Sequence, residues 1–401
     1  MLKTRTETWL AVIIGAVGLV ILGVAGIFVY TSATAPVLHP SAQDVRSVAG
    51  APPPQQWDAA VEQGRHVVRT TLAEQNLPGV SVAVAAAGEM VWAEGFGWAN
   101  LESKVPVTPE TRFRIGSAST VLTSAAVGLL IEKGKLNLDE KIQTHVPDVP
   151  EKQWPVTLRH VMGHVAGVRS DGGDEGRLFG VECDRPIEAL QHFDSAPRVE
   201  PGSEYRYSNL GWVLISAAVE AAADEPFLLF MQKQIFAPLG MDRTDADAPN
   251  DPGPDVATSY FPRFAADPRY GPDVMRPLNL SCYSGASVFV STPSDLVRFA
   301  LALNSGKLLQ PATVETLQTS LRLPSGEPTG YGLGWDLETV ALAGKPTTSI
   351  GHDGDLLGGM VSSLMTFPEH GIVVSVTSNT SYADTSTLAV KIAQAFAKRN
   401  P

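Results

Sequence analysis

The strongest pattern along the chain is an apolar run without a charged residue over residues 9–30, preceded by Lys3 and Arg5. About 20 such residues suffice to cross a bilayer as a helix. Trp9 and Tyr30 bracket the run as interfacial aromatics do, and no Lys or Arg follows until Arg46. Positive-inside logic therefore predicts a cytoplasmic tip at 1–8, an anchor at 9–30, and an extracytoplasmic body in the periplasm or outside the cell. Ala33-Thr34-Ala35 resembles a signal-peptidase site, so a cleaved signal peptide is the alternative. The run is longer than the roughly 7–15 residues of a signal h-region, which favours a retained anchor. Residues 31–56 are rich in Ala, Ser and Pro and end in Pro52-Pro53-Pro54. That composition predicts a semi-rigid linker holding the body off the membrane.

A folded domain is expected over 57–400. Helical periodicity in 57–76 (Val61, Val67, Val68, Leu72) ends at Asn76-Leu77-Pro78. Apolar runs at 80–87 and 90–97, split by Gly88-Glu89, predict a hairpin. Arg114-Ile115-Gly116-Ser117-Ala118-Ser119-Thr120, with the apolar stretch to Ile131, reads as a sharp entry into a buried helix. Helices and irregular loops follow to about residue 320. Their punctuation includes Pro155 with Thr157, Pro238-Leu239-Gly240, and the capped start Ser291-Thr292-Pro293-Ser294-Asp295. Strands return at 331–337, 347–351, 360–367 and 372–378, and a last helix at 384–398 carries Leu388, Ile392, Ala395 and Phe396 on one face. Strands, then helices, then strands predict an α+β fold. One antiparallel sheet is built from both chain ends and flanked by helices, with a mostly helical inserted subdomain.

Composition narrows the function. A hydrophobic share of 44% against 18% charged residues belongs to a globular body rather than a disordered one. The net charge of −12, with no long basic run, argues against a nucleic-acid partner, which needs a basic face. Cys183 and Cys282 are too few for a disulfide scaffold or a thiolate metal site. They form either one bridge or two buried thiols, because sequence does not supply the Cα separation a bridge requires. The histidines show no HExxH-type spacing, so no metal is implied.

Three motifs carry candidate chemistry: Ser117-x-x-Thr120 at the helix start, Tyr207-Ser208-Asn209 before the apolar stretch 210–221, and His352-Asp353-Gly354 between two expected strands. A serine at a helix N-terminus sits where backbone N–H groups favour developing negative charge. A nucleophilic serine further needs a base, oxyanion donors and substrate-orienting groups. Each motif also has an ordinary reading. Ser117 or Ser119 and Asn209 would be helix caps, Tyr207 a core tyrosine, and His352-Asp353-Gly354 a polar turn with Asp353 as its Asx residue.

Taken in order, the motifs resemble the serine β-lactamase and penicillin-binding-protein-like superfamily. The likeness is to its class C β-lactamase-related branch of DD-peptidases, D-aminopeptidases, esterases and mitochondrial β-lactamase-like relatives. Further stretches carry the likeness across the body: 78–84, 105–108 with 113–115, 134–139, 157–160, 238–241 and Tyr331-Gly332-Leu333-Gly334-Trp335. The resemblance implies a cofactor-free serine hydrolase acting on a small-molecule or peptide substrate. In it Ser117 is the nucleophile, Tyr207 the proton relay, Asn209 a holder of the substrate amide, and His352 with Gly354 the opposite wall.

One position departs. The family carries lysine three residues after the nucleophile, one helical turn on, and here that residue is Thr120. Losing a positioned general base costs about 10²–10⁴-fold, roughly 3–5 kcal/mol of barrier. Imidazole ordinarily titrates nearest neutrality, so His352 is the candidate replacement base, as a third catalytic residue beside Ser117 and Tyr207. The expectations are a hydrolase of amide or ester bonds, peptidase or esterase rather than true β-lactamase, and alternatively a catalytically impaired binding module for cell-wall peptides or protein partners. Pocket walls are expected from 169–200 and 250–285. Asn279-Leu280-Ser281 and Asn379-Thr380-Ser381 have the form of glycosylation sequons.

Overall fold

Two residues in left-handed conformation, Ala87 (φ 53°) and Gly88 (φ 82°), turn the chain between the first long strands. A two-residue turn with both φ angles positive matches the strand twist and closes the expected hairpin, one residue earlier than the Gly88-Glu89 split. The computed structural model describes residues 2–149, 154–168, 178, 180–190, 199–248, 253–276, 278–356 and 358–398. In chain order the strands are β1 (Ser47–Ala49), β2 (Gly79–Ala86), β3 (Glu89–Asn100), β4 (Val105–Pro106), β5 (Phe113–Arg114), β6 (Asp245–Ala246), β7 (Tyr260–Pro262), β8 (Pro272–Val274), β9 (Phe289–Ser291), β10 (Asp336–Leu342), β11 (Lys345–Leu356), β12 (Met360–Phe367) and β13 (Ile372–Ser378).

The main sheet is eight-stranded and antiparallel, in the order β1-β3-β2-β13-β12-β11-β10 with β4 beside β3. Both chain ends build it, as expected, and β2 meets β13 in its middle. Every residue of β2, β12 and β13 is buried, because helices cover both faces. That is why these strands read as continuous apolar runs rather than alternating ones. Helix α2 (Asp58–Gln75) and the closing helix Thr385–Ala397 cover one face, where Val61, Val68 and Leu72 meet Val84, Val374, Ile392 and Phe396. Helix α3 (Ser119–Glu132), with the helices Asn209–Ala223 and Pro293–Asn304, covers the other. β5 and β6 flank β9 in a small sheet, and β7 pairs with β8.

Helix α1 (Leu2–Ala33) is one unbroken helix, longer than the apolar run. Its 22-residue segment Val12–Ala33 is long and apolar enough to cross a membrane.

Three expectations change. Part of the spacer at 31–56 is built into the body: β1 pairs with β3, placing Val48 opposite Gly95, and Asn76 takes the Leu38 N–H at Oδ1 while its amide donates to the Pro36 carbonyl. Extended backbone beside an unfilled sheet edge satisfies its N–H and C=O groups by pairing, whatever its Pro content elsewhere. Of the expected strand at 331–337, residues 331–335 form a loop and only 336–337 are strand, the start of β10, because Gly330 and Gly334 take positive φ (74° and 101°) and turn the chain; an isolated bridge joins Tyr331 to Asp336. His352-Asp353-Gly354 lies inside β11 rather than between strands. The alternative left open for the cysteines resolves as the bridge: Cys183 and Cys282, with Cα atoms 4.9 Å apart, form a disulfide. Within the expected pocket walls, residues 169–177, 179, 191–198, 250–252 and 277 lie outside the described residues. Asn379 of the second sequon is buried, its amide donating to the carbonyls of Trp98 and Ala99.

Candidate active site

The turn carrying Ser117 is held from three sides. β5 hydrogen-bonds to β9, and the Ile115 N–H extends that contact to the Phe289 carbonyl at 3.1 Å. The Arg114 guanidinium, almost fully buried, donates to both carboxylate oxygens of Asp247 (2.7 and 3.2 Å) and to Ser259 Oγ (3.0 Å). A buried charge is tolerable only when so paired. The Ser362 hydroxyl donates to the Ile115 carbonyl at 2.7 Å. Gly354 of β11 lies against that same carbonyl: a Cβ at 354 would stand 1.9 Å from Ile115 O. Only glycine admits this approach.

Gly116 (φ 53°) then bends the chain into a short 3-10 turn, Gly116–Ala118, that runs into α3. Neither nearby serine caps α3, whose N-cap is Ala118 with no side-chain hydrogen bond. Ser119 and Thr120 are completely buried, while Ser117 keeps part of its surface. In the second motif Ser208, not Asn209, is the cap, its Oγ accepting the Gly211 N–H at 3.2 Å. Asn209 therefore opens the helix from its first turn.

A histidine absent from the sequence reading sits behind this motif. His164, with positive φ (57°), accepts the Ser208 N–H at Nδ1 (3.0 Å) and lays its ring 4.2 Å from that of Tyr207. Complete burial, with His352 nearby, lowers its pKa well below the ordinary histidine value, so it stays neutral. The flanking sequence His164-Val165-Ala166-Gly167 carries no spacing signal that would have singled it out.

Tyr331 is the second missed residue, although its Tyr-Gly-Leu-Gly-Trp setting was visible. The 331–335 loop packs on α3, with the Ser124 hydroxyl donating to the Leu333 carbonyl and accepting from the Trp335 indole. This places the Tyr331 hydroxyl between Thr120, with which it hydrogen-bonds, and His352 Nε2 at 3.0 Å. His352 Nδ1 lies 2.6 Å from the Asp353 carbonyl, which only accepts, so Nδ1 carries the hydrogen and Nε2 is the lone pair facing Tyr331. Asp336 Oδ2 stands 3.7 Å from Nδ1 on the solvent side. Burial, with lesser repulsion from the neighbouring Tyr207, Asp336 and Tyr205, pushes the Tyr331 phenol well above its usual value. Tyr331 thus keeps its proton. Burial also raises Asp353 to about 6, against the hydrogen bond from Ser363 and the nearby His352, with Asp336 and Glu338 adding to the rise.

The structure thus gathers Ser117, Thr120, His352 and Gly354 at the α3–β11 seam, with Tyr207 facing His352 across a ring separation of 6.2 Å. Where the resemblance calls for a lysine amine, a Thr120–Tyr331–His352 hydrogen-bond chain occupies the interior.

Comparison with known proteins agrees with this architecture. The Beta-lactamase family model matches residues 64–397. The serine beta-lactamase-like protein LACTB, mitochondrial, of Mus musculus is 27% identical over 85% of this chain and 81% of its own. Penicillin-binding protein 4* of Bacillus subtilis is 27% identical over 69% of this chain and 63% of its own. The D-amino acid amidase of Ochrobactrum anthropi SV3 superposes with a TM-score of 0.71 at 25% identity, covering 85% of this chain and 99% of the amidase. With a family match over nearly the whole body and the same sheet-and-helix architecture, the chain belongs to the beta-lactamase family of serine hydrolases.

Proposed function

We propose that the chain is an exported, membrane-anchored serine hydrolase that opens amide or ester bonds in peptides, peptidoglycan fragments or esters through a Ser117 acyl-enzyme. Peptidase or esterase chemistry stands ahead of true β-lactam hydrolysis. The observation that carries the reading is the pattern at the helix start: Ser119 and Thr120 are sealed in the core, whereas Ser117 is reachable and uncommitted to capping. Relatives bearing the names of a penicillin-binding protein and a D-amino acid amidase supply the bond classes. The apolar 12–33 segment supports anchoring, and a formed disulfide suits an oxidising compartment outside the cytoplasm.

Attack of Ser117 Oγ on a carbonyl carbon requires its proton to leave and the carbonyl oxygen to meet donors. The positive end of α3 faces the developing oxyanion. Thr120 has no amine to take the proton, and we assign His352 Nε2 as the acceptor, reached through Tyr331. The phenol gives its proton to Nε2 as it takes one from the Ser117–Thr120 side, and the Asp336 carboxylate faces the resulting imidazolium. Collapse of the tetrahedral intermediate breaks the C–N or C–O bond, and the proton returns to the leaving group. Water then repeats the sequence on the acyl ester. Tyr207 keeps the proton-relay role and Asn209 the amide-holding role that the resemblance implies, on a motif braced by His164.

Thr120 itself favours the second reading, a relative that keeps the cleft to bind cell-wall peptides or a protein partner without turnover. A fluorophosphonate or penicillin probe read by intact mass separates the two. The hydrolase predicts one adduct on wild type, lost in Ser117→Ala and slowed in His352→Ala. An adduct on Thr120→Lys but none on wild type would overturn it.

A further inference from the structure

The stretch composed like a spacer leaves no slack between the apolar helix and the body. Phe28, inside the 12–33 segment, packs its ring against Phe264 (6.0 Å) and edge-on against Tyr270 (5.9 Å), and those two rings meet at 5.5 Å. One turn on, Thr31 is 7% exposed, and Arg263 donates to both Thr34 O and Thr34 Oγ1 at 2.9 Å. His39, buried, then bonds the Leu77 carbonyl at 3.1 Å. The chain from Phe28 to His39 is thus fastened to the body at each step.

Phe264 and Tyr270 belong to the connection between β7 and β8. The body can touch a residue inside a bilayer-spanning helix only where that part of the body itself reaches the bilayer. Phe28 lies near the outer end of the apolar segment, at the depth where aromatic side chains concentrate. Beside the contact, Val37 and Val274 expose 70% and 68% of their surface to solvent. Arg276, and Arg269 with its partner Asp267 (2.6 Å), are exposed on the same hairpin, and cations there suit lipid phosphates. We propose that the 260–276 hairpin is a seating surface that rests the domain on the outer-leaflet headgroup layer, with Val37 and Val274 entering it, instead of the domain standing off on a tether. The proposal depends on the anchoring proposed above.

The seat is joined to the site. The β7 residue Tyr260 bonds the carbonyls of Gly359 (3.2 Å) and Asn379 (2.9 Å), and Ser259 is the acceptor for Arg114, three residues before Ser117. The site is therefore held at a fixed height above the bilayer rather than swinging on a linker.

The test uses the full chain in phosphatidylcholine–phosphatidylglycerol vesicles, with the native cysteines paired and one added cysteine carrying an NBD fluorophore. Val274→Cys and Val37→Cys should each show blue-shifted emission quenched by nitroxide-labelled lipid, while Glu315→Cys stays water-like. Water-like emission at positions 274 and 37 on a chain that co-floats with the vesicles overturns the seat and leaves anchoring intact. A chain that does not co-float overturns the anchoring itself, and the seat with it. A blue shift that resists nitroxide-labelled lipid and grows with the protein-to-lipid ratio means a second copy covers the patch, which also overturns the proposal.

Discussion

Replacing Tyr331 by Phe deletes one oxygen and keeps the ring that packs 4.7 Å from His164, 5.8 Å from Tyr205 and 5.7 Å from His352. Two buried partners lose their bond, His352 Nε2 and the Thr120 hydroxyl. An orphaned buried polar group costs about 1–3 kcal/mol. Thr120 retains a 3.5 Å contact to the Gly334 carbonyl, at the limit of hydrogen-bond geometry. His352 Nε2 therefore bears most of the loss, and stability should fall by about 1–3 kcal/mol. The variant stays folded, because domains typically have about 5–15 kcal/mol in hand. The chemical effect is larger: severing a positioned base from its proton slows acylation by about 10²–10⁴-fold, roughly 3–5 kcal/mol of barrier. Urea denaturation gives the first quantity. The rate of fluorophosphonate adduct formation, followed by mass across pH, gives the second. The groups facing His352 (Tyr207, Tyr331, Asp336, Asp353 and His164) make the profile a property of the cluster, and loss of Tyr331 should change its shape as well as its height. A variant that loses stability but keeps the wild-type acylation rate and pH profile refutes the relay and leaves Tyr331 a packing residue.

Gly354→Ala drives a methyl against Ile115 O and Ser362 Oγ, which would lie 1.9 and 2.7 Å away, where paired strands leave little room to yield. It should cost about 1–3 kcal/mol in denaturation and, by displacing the Ser117 turn, more in probe labelling; unchanged labelling would show that the turn tolerates the shift. Asp353 titrates at about 6 in the fold against 3.8 ordinarily, so the folded state holds a proton that the unfolded chain has released. Its contribution is most favourable below about pH 4 and declines by about 3 kcal/mol as pH rises to about 6. Asp353→Asn should remove that slope and gain on wild type at neutral pH, and parallel stability–pH curves would contradict the assignment. Replacing both Cys183 and Cys282 by Ser removes a cross-link of sequence separation 99, worth about 4.7 kcal/mol on the chain-entropy account. The thermal midpoint should drop accordingly, and an unmoved midpoint would mean that the bond restrains little of the unfolded chain.

The parts legible in the sequence are those that local chemistry dictates. β12 and β13 appear where apolar runs end in Gly, Pro or Asn, and the closing helix appears where Leu388, Ile392 and Phe396 share a face. Ser117 stands out because a glycine turn before an apolar stretch is a local signal, and Thr120 because it sits where the resemblance calls for an amine. Residues distant in the chain were decided otherwise. His164 reaches Ser208 across 44 positions, and β1 fills the sheet edge beside β3 because that edge is open. Cys183 finds Cys282 only because two loops converge. His352 was legible as a residue with a lone pair to offer, but its direction was not. The same side chain would face Ser117, solvent or the core depending on strand register, and register is settled by the pairing of β11 with β10 and β12. Sequence by itself determined that a serine stands at the start of a buried helix and that the amine the resemblance calls for is missing. Only the tertiary structure decided that Tyr331 and His352 fill the gap, because a hydrogen bond is set by where two backbones meet in space, and periodicity along one segment does not encode that.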